Sequence, residues 1–415
     1  MSDIALTNLH PDILCTVMEF VANDEDGGIS TISIISRTCK RMRFEGTKYL
    51  LSGIVELSSI KRVCSFCQFM LADKSTRLPL LKGLVLILYS IEEEEHVRLV
   101  CETVRGLSNL YELDVTLGAT SSPSALREIP AAIASLTSLG ALTLAVLCRF
   151  TSTDTSDPVF VTALKNTRAP LMSLSINLGT YTKGAEADRV RYNRKRDPIF
   201  LCSRLRSTLE RLEVSGRFTL IVRPGRTYEY PRLHQVILPL YHICRPYLKP
   251  IIVSAPQLRD LQFGGRYNTH MRHRHDEDIL RGRVINSSST PQEWRTVNQR
   301  DQEAMGKSWS MLDAFKGAII GAYATGLACP VTRVHLLSTG GRRTLELTML
   351  SIVLSDWRPS FLRLATKVYR ARGYIPLVPS TSSGWAESLE TLEIRLNIVD
   401  DRFDYAECFV SLSSP

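Results

Sequence analysis

The sequence predicts an α/β protein in which repeated units each give one short parallel strand and one helix, preceded by a small helical module. Three observations support this prediction. One apolar triplet recurs along most of the 415 residues. The segments between its copies have helical periodicity. The first 48 residues have helical periodicity without the triplet.

Residues 1–48 form the helical module in this prediction. Apolar residues in segment 9–21 recur at helical spacing, and Asp12 lies near the expected helix start. An acidic, glycine-containing segment at 23–28 separates them from a second apolar stretch at 29–43. We therefore expect a helical hairpin or a three-helix unit, which is too small to be very stable by itself.

The triplet is a leucine, a second leucine three residues later, and Leu, Ile, Val or Phe two residues after that. Chance would give roughly two matches in a chain so rich in leucine. The in-step matches are Leu81/Leu84/Leu86, Leu110/Leu113/Val115, Leu139/Leu142/Leu144, Leu171/Leu174/Ile176, Leu209/Leu212/Val214, Leu258/Leu261/Phe263 and Leu389/Leu392/Ile394. Looser copies are Leu233/Val236/Leu238 and Val331/Val334/Leu336, and Leu347/Leu350/Ile352 matches out of step.

The last two residues of each triplet alternate, so they point to one face of a short strand, and the first packs on the same core from the preceding turn. The chain must then return to start the next parallel strand. Segments 92–107, 122–136 and 197–209 have the helical spacing needed for that return. A doubly wound nucleotide-binding sheet also alternates strands and helices, but its glycine-rich turn is missing here.

This pattern resembles the leucine-rich repeat family, whose units stack into a solenoid. The resemblance covers residues 78–270 well and 331–400 poorly, and residues 331–415 are assigned to a carboxy-terminal repeat-like segment. The Asn or Cys that usually follows the third apolar position is mostly missing. Between the two, segment 271–330 is predicted to be a polar insertion followed by a helix through Trp294, Trp309 and Phe315. The expected fold is an irregular leucine-rich-repeat solenoid.

The first strand of this array would leave Gly83, Val85 and Ile87 uncovered on its outer face, and an apolar end strand needs a cap. We expect residues 44–77 to cover it. Residues 49–77 are therefore assigned to a linker and cap, in which segment 60–71 has the pattern of an amphipathic helix.

The amino-terminal module resembles the F-box. Its first helix matches the family motif at Leu9, Asp12, Ile13, Leu14, Val17 and Phe20, and the second part matches at Ile34, Ile35, Ser36, Thr38, Cys39, Lys40 and Met42. His10 stands where the family has Pro, Asp12 where it has Glu, and Met42 where it has an aromatic residue. The resemblance covers only about 40 residues of the chain.

The F-box resemblance implies a substrate receptor of a cullin-RING ubiquitin ligase. Such a receptor is not an enzyme and needs no cofactor, because it contributes only the positioning of a target protein. The residues carried over to the interface with the ligase's adaptor subunit are Leu9, Pro11, Asp12, Ile13, Leu14, Val17 and Ile35. Some of these must pack the module's own core instead, and the sequence does not separate the two uses.

Residues between and just after the two alternating apolar positions face outward, and a mixed polar row suits a protein ligand. The candidate target-binding residues are Glu112, Asp114, Ser173, Ser175, Arg211, Glu213, Asp260, Gln262, Arg333 and His335. The alternative is that they are only solvated strand residues.

The net charge, the apolar stretches and the cysteine and histidine positions bear on possible nucleic-acid, membrane and metal partners. The net charge of +9 permits acidic partners without indicating nucleic acid, and no apolar stretch is long enough to suggest a membrane span. Cys64 and Cys67 lack further metal ligands and fit a buried helix face. The histidine-rich segment 269–283 and the basic segment 188–198 are interpreted as solvated loops.

We expect no metal, no membrane partner and no nucleic acid. Scattered cysteines and the lack of a signal sequence favour an intracellular location, cytoplasmic or nuclear. Two alternatives to the ligase receptor remain open at this point. One is a repeat scaffold whose amino-terminal helices only cap the array, and the other is an enzyme of unknown type.

Overall fold

The computed structural model describes residues 10–22, 28–38, 40–118, 121–147, 149–150, 159–178, 180–181, 197–216, 220, 228–239, 246–264, 290–306, 308–338, 343–368 and 384–398. The chain forms two compact units, Met1–Val190 and Arg191–Pro415. In both, parallel strands alternate with helices in the manner of leucine-rich repeats, so the predicted fold class is confirmed.

The first unit begins with a three-helix module within the described residues: α1 (Pro11–Ala22), α2 (Gly28–Ile35) and α3 (Lys40–Ser52). Leu14, Met18, Ile32 and Met42 are each at most 2% exposed and form its core. Gly28 allows α2 to begin directly against α1, because a Cβ there would lie 1.9 Å from the carbonyl oxygen of Val21. The predicted helical module is therefore a three-helix unit.

Five parallel strands of the first unit form one sheet in the order β1-β2-β3-β4-β6. They are β1 (Ile54–Leu57), β2 (Gly83–Leu88), β3 (Glu112–Gly118), β4 (Ala141–Leu147) and β6 (Ser173–Asn177). A separate parallel pair joins β5 (Arg149–Phe150) and β7 (Thr180–Tyr181). The register aligns successive triplets, because Leu84, Leu113, Leu142 and Leu174 lie side by side. Each of these four leucines is at most 2% exposed.

Segments 60–71, 92–107 and 122–136 form helices, as their periodicity predicts. The helices of the first unit that follow β1 lie between its strands. They are α4 (Ile60–Ala72), α5 (Lys74–Arg77), α6 (Glu94–Gly106), α7 (Pro123–Ala134) and α8 (Val161–Asn166), with a short 3₁₀ turn at Leu78–Leu80. Successive helices α6, α7 and α8 pack on each other. Burying one leucine or valine side chain here stabilises the fold by about 1.5–3 kcal/mol.

The sheet begins one strand earlier than the sequence indicates. Segment 44–77 contributes β1, which pairs with β2, in addition to the expected amphipathic helix α4. Gly83 lies against Ile54, since a Cβ on the glycine would be 2.9 Å from the Ile54 Cγ1 atom. Val85 and Ile87 are half-buried. The segment thus caps the second strand by edge pairing and leaves Ile54 61% exposed.

Seven parallel strands of the second unit follow chain order. They are β8 (Arg211–Ser215), β9 (Gln235–Leu238), β10 (Asp260–Phe263), β11 (Leu312–Ala318), β12 (Val331–Leu337), β13 (Phe361–Val368) and β14 (Thr391–Ile398). The helices are α9 (Pro198–Leu201), α10 (Lys249–Ser254), α11 (Pro291–Met305), α12 (Ile319–Thr325) and α13 (Arg343–Trp357). Short 3₁₀ turns lie at Ser203–Leu205 and Trp385–Ser388.

Residues 271–330 differ from the prediction. Helix α11 ends at Met305, and the residues after it form strand β11 and helix α12, so this region contains a repeat unit. In register, Leu261 pairs with Phe315 and Phe315 pairs with Val334. The triplet rule misses β11 because Phe315 and Gly317 occupy its second and third positions. It misses β13 because its first position is Pro359.

Helix α11 carries three buried polar side chains, which distinguish it from the apolar helices of the array. Its amino terminus has a capping box between Thr290 and Glu293. Asn298 is 1% exposed and Gln302 is 5% exposed. The third, Arg295, pairs with Asp356 at 2.5 Å. These three side chains donate hydrogen bonds to backbone carbonyl oxygens of neighbouring segments.

Two smaller features complete the fold. The out-of-step triplet at Leu347/Leu350/Ile352 lies within helix α13, so it is not a strand unit. The last triplet has Leu392 45% exposed and Ile394 36% exposed, because no described residues cover the core side of β14. No described helix is both long and apolar enough to span a membrane.

Candidate functional site

The outer side of α1 carries an apolar stripe that no described part of the chain covers. Ile13, Val17 and Phe20 are 51%, 39% and 81% exposed. Their spacing of four and three residues places them on one helix face. Leu14 and Met18 occupy a different side and fill the module core. We call Ile13, Val17 and Phe20 the α1 stripe.

The structure separates the predicted adaptor-binding residues into two groups. Asp12, Ile13 and Val17 are exposed. Leu14 is 1% exposed, and Ile35 is partly buried against the same core, so both stabilise the module instead of offering a contact surface. Leu9 lies outside the described residues, as does the side chain of Pro11.

The prediction also missed apolar residues that the module exposes. Phe20 belongs to the F-box motif match but was not assigned to the interface, and Ile29 and Ile34 of α2 are 53% and 65% exposed. Helical periodicity contained a signal for Phe20, because it lies seven residues after Ile13. It contained none for α2, where isoleucines occur on several sides of a short helix.

The outward strand face of the first unit is acidic. Its register aligns Glu112 with Ser173 through Ala141, and Asp114 with Ser175 through Thr143. The four predicted target-binding residues of this unit therefore lie in two adjacent rows. Glu112 is exposed, whereas the other three are half-buried.

Asp114 is the most perturbed carboxyl group of this face. Burial, and then the negative charges of Glu112 and Glu56, raise its pKa to about 6. Asp114 has no hydrogen bond or ion pair with any described residue. The folded state thus holds a proton more tightly than the unfolded chain, whose aspartates have a pKa of about 3.9.

We expect Asp114→Asn to stabilise the chain by about 1 kcal/mol at pH 7.5, since solvent screens a partly exposed carboxylate. Below the unfolded pKa both states are protonated, so there is no penalty. Stability then falls as the pH rises through the window up to about 6. Urea unfolding at pH 7.5 and pH 4 measures this. Equal effects of the substitution at both pH values would contradict the assignment.

The outward face of β8–β10 is tied together by its own side chains. Arg211 pairs with Glu213 at 3.1 Å. Gln235 and Gln262 both donate to the same carboxylate oxygen of Asp260, at 2.6 and 2.9 Å. Glu213 is only 8% exposed, so it is less accessible than a target-binding residue should be. Sequence alternation placed it on the outer face but did not reveal this pairing.

Arg333 and His335 lie on the outward face of β12. Arg333 is exposed, and His335 is half-buried with its ring 5.5 Å from the ring of Phe361. The register brings Lys316 and Arg363 beside His335. Sequence reasoning did not select these two neighbours, because the strands that carry them were not recognised.

The described residues contain no cluster of three or more potential metal-ligating side chains. Cys67 lies in helix α4, where burial raises its pKa to about 11, and Cys64 is half-buried. The thiol of Cys67 therefore remains protonated at neutral pH. The histidine-rich segment 269–283 lies outside the described residues, and so does nearly all of the basic segment 188–198.

Comparison with known proteins adds little. No protein-family model matches the chain, and no curated protein matches it. One similar solved structure is the crystal structure of the Rad7 and Elc1 complex in yeast. The identity is 12%, the match covers 91% of this chain and 90% of that chain, and the TM-score is 0.37. A likeness at this level carries no argument about function.

Proposed function

We propose that this protein is a substrate receptor of a cullin-RING ubiquitin ligase. Its helical module would dock on the ligase's adaptor subunit, and its repeat units would hold a target protein. The observation that carries the proposal is the α1 stripe. A three-helix module exposes three large apolar side chains on one helix face, although another face of that helix already fills the core.

The α1 stripe has the properties of a helix that inserts into an apolar groove. Anchors at positions i, i+4 and i+7 are the usual contacts of such a helix. Phe20, which is 81% exposed, would bury the largest area of the three. Large aromatic residues at the centre of an interface commonly contribute most of its affinity.

In this proposal the chain supplies no reacting group. Holding a target close to the charged ubiquitin carrier raises the effective concentration of its lysines. The attack of the lysine amine then proceeds as an intramolecular encounter. The outward strand faces of the two units are the surfaces that would hold the target.

A second candidate is a repeat scaffold whose amino-terminal helices only cap the array. One observation favours it, because α3 ends at Ser52, two residues before β1, and packs against that strand. Under this candidate, substitutions in the α1 stripe would leave partner binding unchanged. Removal of residues 1–43 would instead destabilise the first unit.

The test is calorimetric titration of the full chain with the purified adaptor subunit that F-box modules bind. We expect Val17→Lys and Phe20→Lys each to weaken binding by about 100-fold, because each buries a charge in an apolar contact. Glu19→Lys is the matched control. It introduces the same side chain at an exposed position of the same helix, outside the stripe, and should bind like wild type.

Circular dichroism and urea unfolding must show that all three variants remain folded. The proposal fails if wild type shows no binding at about 10 µM, a concentration well above the dissociation constants of stable complexes. It also fails if both stripe variants bind as tightly as Glu19→Lys.

A further inference from the structure

The outward face of the last four strands of the second unit is rich in positive charge. Lys316, His335 and Arg363 lie in one register row across β11, β12 and β13. Adjacent strands in a sheet are about 4.8 Å apart, so side chains in such a row are close neighbours. Arg333 and Arg395 project from the same face in adjacent rows. We call these five residues the basic strand face.

One carboxylate lies within this face and is shared by two arginines. Glu393 pairs with Arg363 and with Arg395, each at 2.5 Å. These two partners lower the pKa of Glu393. Lys316 and Arg333 are exposed, and neither has a carboxylate partner among the described residues. Four permanent cations therefore face one anion.

The pKa of His335 is affected by the positive charges around it. Burial lowers its pKa, and the positive charges of Arg363, Lys316 and Arg333 lower it further, while Glu393 raises it. Its ring lies 5.5 Å from that of Phe361. The guanidinium carbon of Arg363 lies 5.6 Å from the centre of the same ring. The face thus combines net positive charge with a flat aromatic surface.

We propose that the basic strand face binds an extended, acidic segment of the target protein, with carboxylates placed against Lys316 and Arg333. This inference rests on the proposed function only in identifying the ligand as a ligase target. Charge complementarity favours an anionic ligand. The position of Glu393 favours separated carboxylates over a nucleic acid, because a continuous phosphate backbone crossing the face would meet this anion.

The face is also partly organised before a ligand binds. Glu393 and Phe361 hold Arg363 in place, so less side-chain entropy is lost when a ligand contacts that guanidinium. Lys316 and Arg333 remain available to form new ion pairs. A carboxylate entering between them would lie beside two exposed cations and close to the half-buried His335 and Arg363.

The test measures binding of the full chain to three fluorescent probes by anisotropy. The first is a 12-residue peptide that alternates glutamate and serine, which places the glutamates on one side of an extended chain. The second has glutamine at each glutamate position, and the third is single-stranded DNA. We expect the acidic peptide to bind at least about 10-fold tighter than the glutamine peptide, with an affinity that falls as salt is added.

Lys316→Glu and Arg333→Glu should each weaken binding of the acidic peptide by about 10-fold or more. Arg300→Glu is the matched control, because it makes the same kind of charge reversal at an exposed position of α11 and should have no effect. Lys316→Gln and Arg333→Gln keep the test valid if a reversal disturbs folding, since they remove the charge without adding a carboxylate.

Equal binding of the two peptides would overturn the inference. So would a DNA probe that binds tighter than the acidic peptide, or charge variants that bind like Arg300→Glu. The adaptor titration, repeated on Lys316→Glu, separates this inference from the proposed function. Wild type that binds the acidic peptide but not the adaptor would refute only the ligase role, and the reverse would refute only the acidic-segment inference.

Discussion

Replacing Asn298 by alanine is expected to destabilise the second unit by about 3–5 kcal/mol, because three backbone groups would lose a buried partner. The amide nitrogen of Asn298 donates to the carbonyl oxygens of Pro246 and Ala324 at 2.6 and 3.0 Å. Its side-chain oxygen accepts from the backbone nitrogen of Leu248 at 3.2 Å. One side chain therefore ties helix α11 to two other segments of the unit.

Tryptophan fluorescence during urea unfolding measures this effect directly, since all four tryptophans lie in the second unit. Arg300→Ala is the control, because Arg300 is exposed on the same helix and should change stability by less than about 0.5 kcal/mol. Asn298→Asp keeps the oxygen that accepts from Leu248 and loses the amide donors. Our account is contradicted if Asn298→Ala is as stable as Arg300→Ala.

Replacing Phe315 by alanine should destabilise the same unit by about 3–5 kcal/mol. The Phe315 ring is fully buried, with ring centres 4.7 Å from Trp357 and 5.8 Å from Phe263. Gly317 leaves room for it, since a Cβ there would lie 3.2 Å from the Phe315 ring. Loss of the ring would leave a cavity between β10, β11 and α13 that the strands cannot close.

The matched control is Met311→Ala, because Met311 is 50% exposed and immediately precedes the same strand. We expect it to change the free energy of unfolding by less than about 1 kcal/mol. A destabilisation by Phe315→Ala that does not exceed that of Met311→Ala would show that the interior is not continuous through β11.

Local pattern predicted most of the first unit. Its triplets set the register of the sheet, because an apolar pair two residues apart must face the core, as Leu113 and Val115 do. The helical periodicity of α6 and α7 was equally informative. The pattern is regular here because most strands of this unit pair with strands that have the same apolar triplet.

The second unit was less predictable where the leucine triplet is incomplete and the structure depends on contacts between residues distant in sequence. Gly317 and Pro359 fill positions that usually hold leucine, and only the neighbouring rings and strands explain why they are tolerated. The sequence predicted one helix through Trp294, Trp309 and Phe315, but α11 ends at Met305. It also did not predict the burial of Asn298 and Gln302, which resemble solvated residues. Most of their backbone partners are distant in sequence, so no local signal could indicate their burial.

The candidate binding surfaces could likewise be predicted only in part from the sequence pattern. Ile13 and Leu14 both fit the F-box motif, but one is exposed and the other fills the core, and this depends on where α2 and α3 pack. Alternation along strands correctly placed Arg333 and His335 on the outer face. It did not indicate the charge of the surrounding face, because Lys316 and Arg363 belong to strands that the triplet rule missed.

The central claim is that helix α1 is the docking element of a ligase receptor. Hydrogen exchange of the full chain, with and without the purified adaptor subunit, tests it most directly. We predict slower exchange in Pro11–Ala22 when the adaptor is present and unchanged exchange in β11–β14. Unchanged exchange in α1 at saturating adaptor, or protection only in the strands of the repeat units, would contradict the claim.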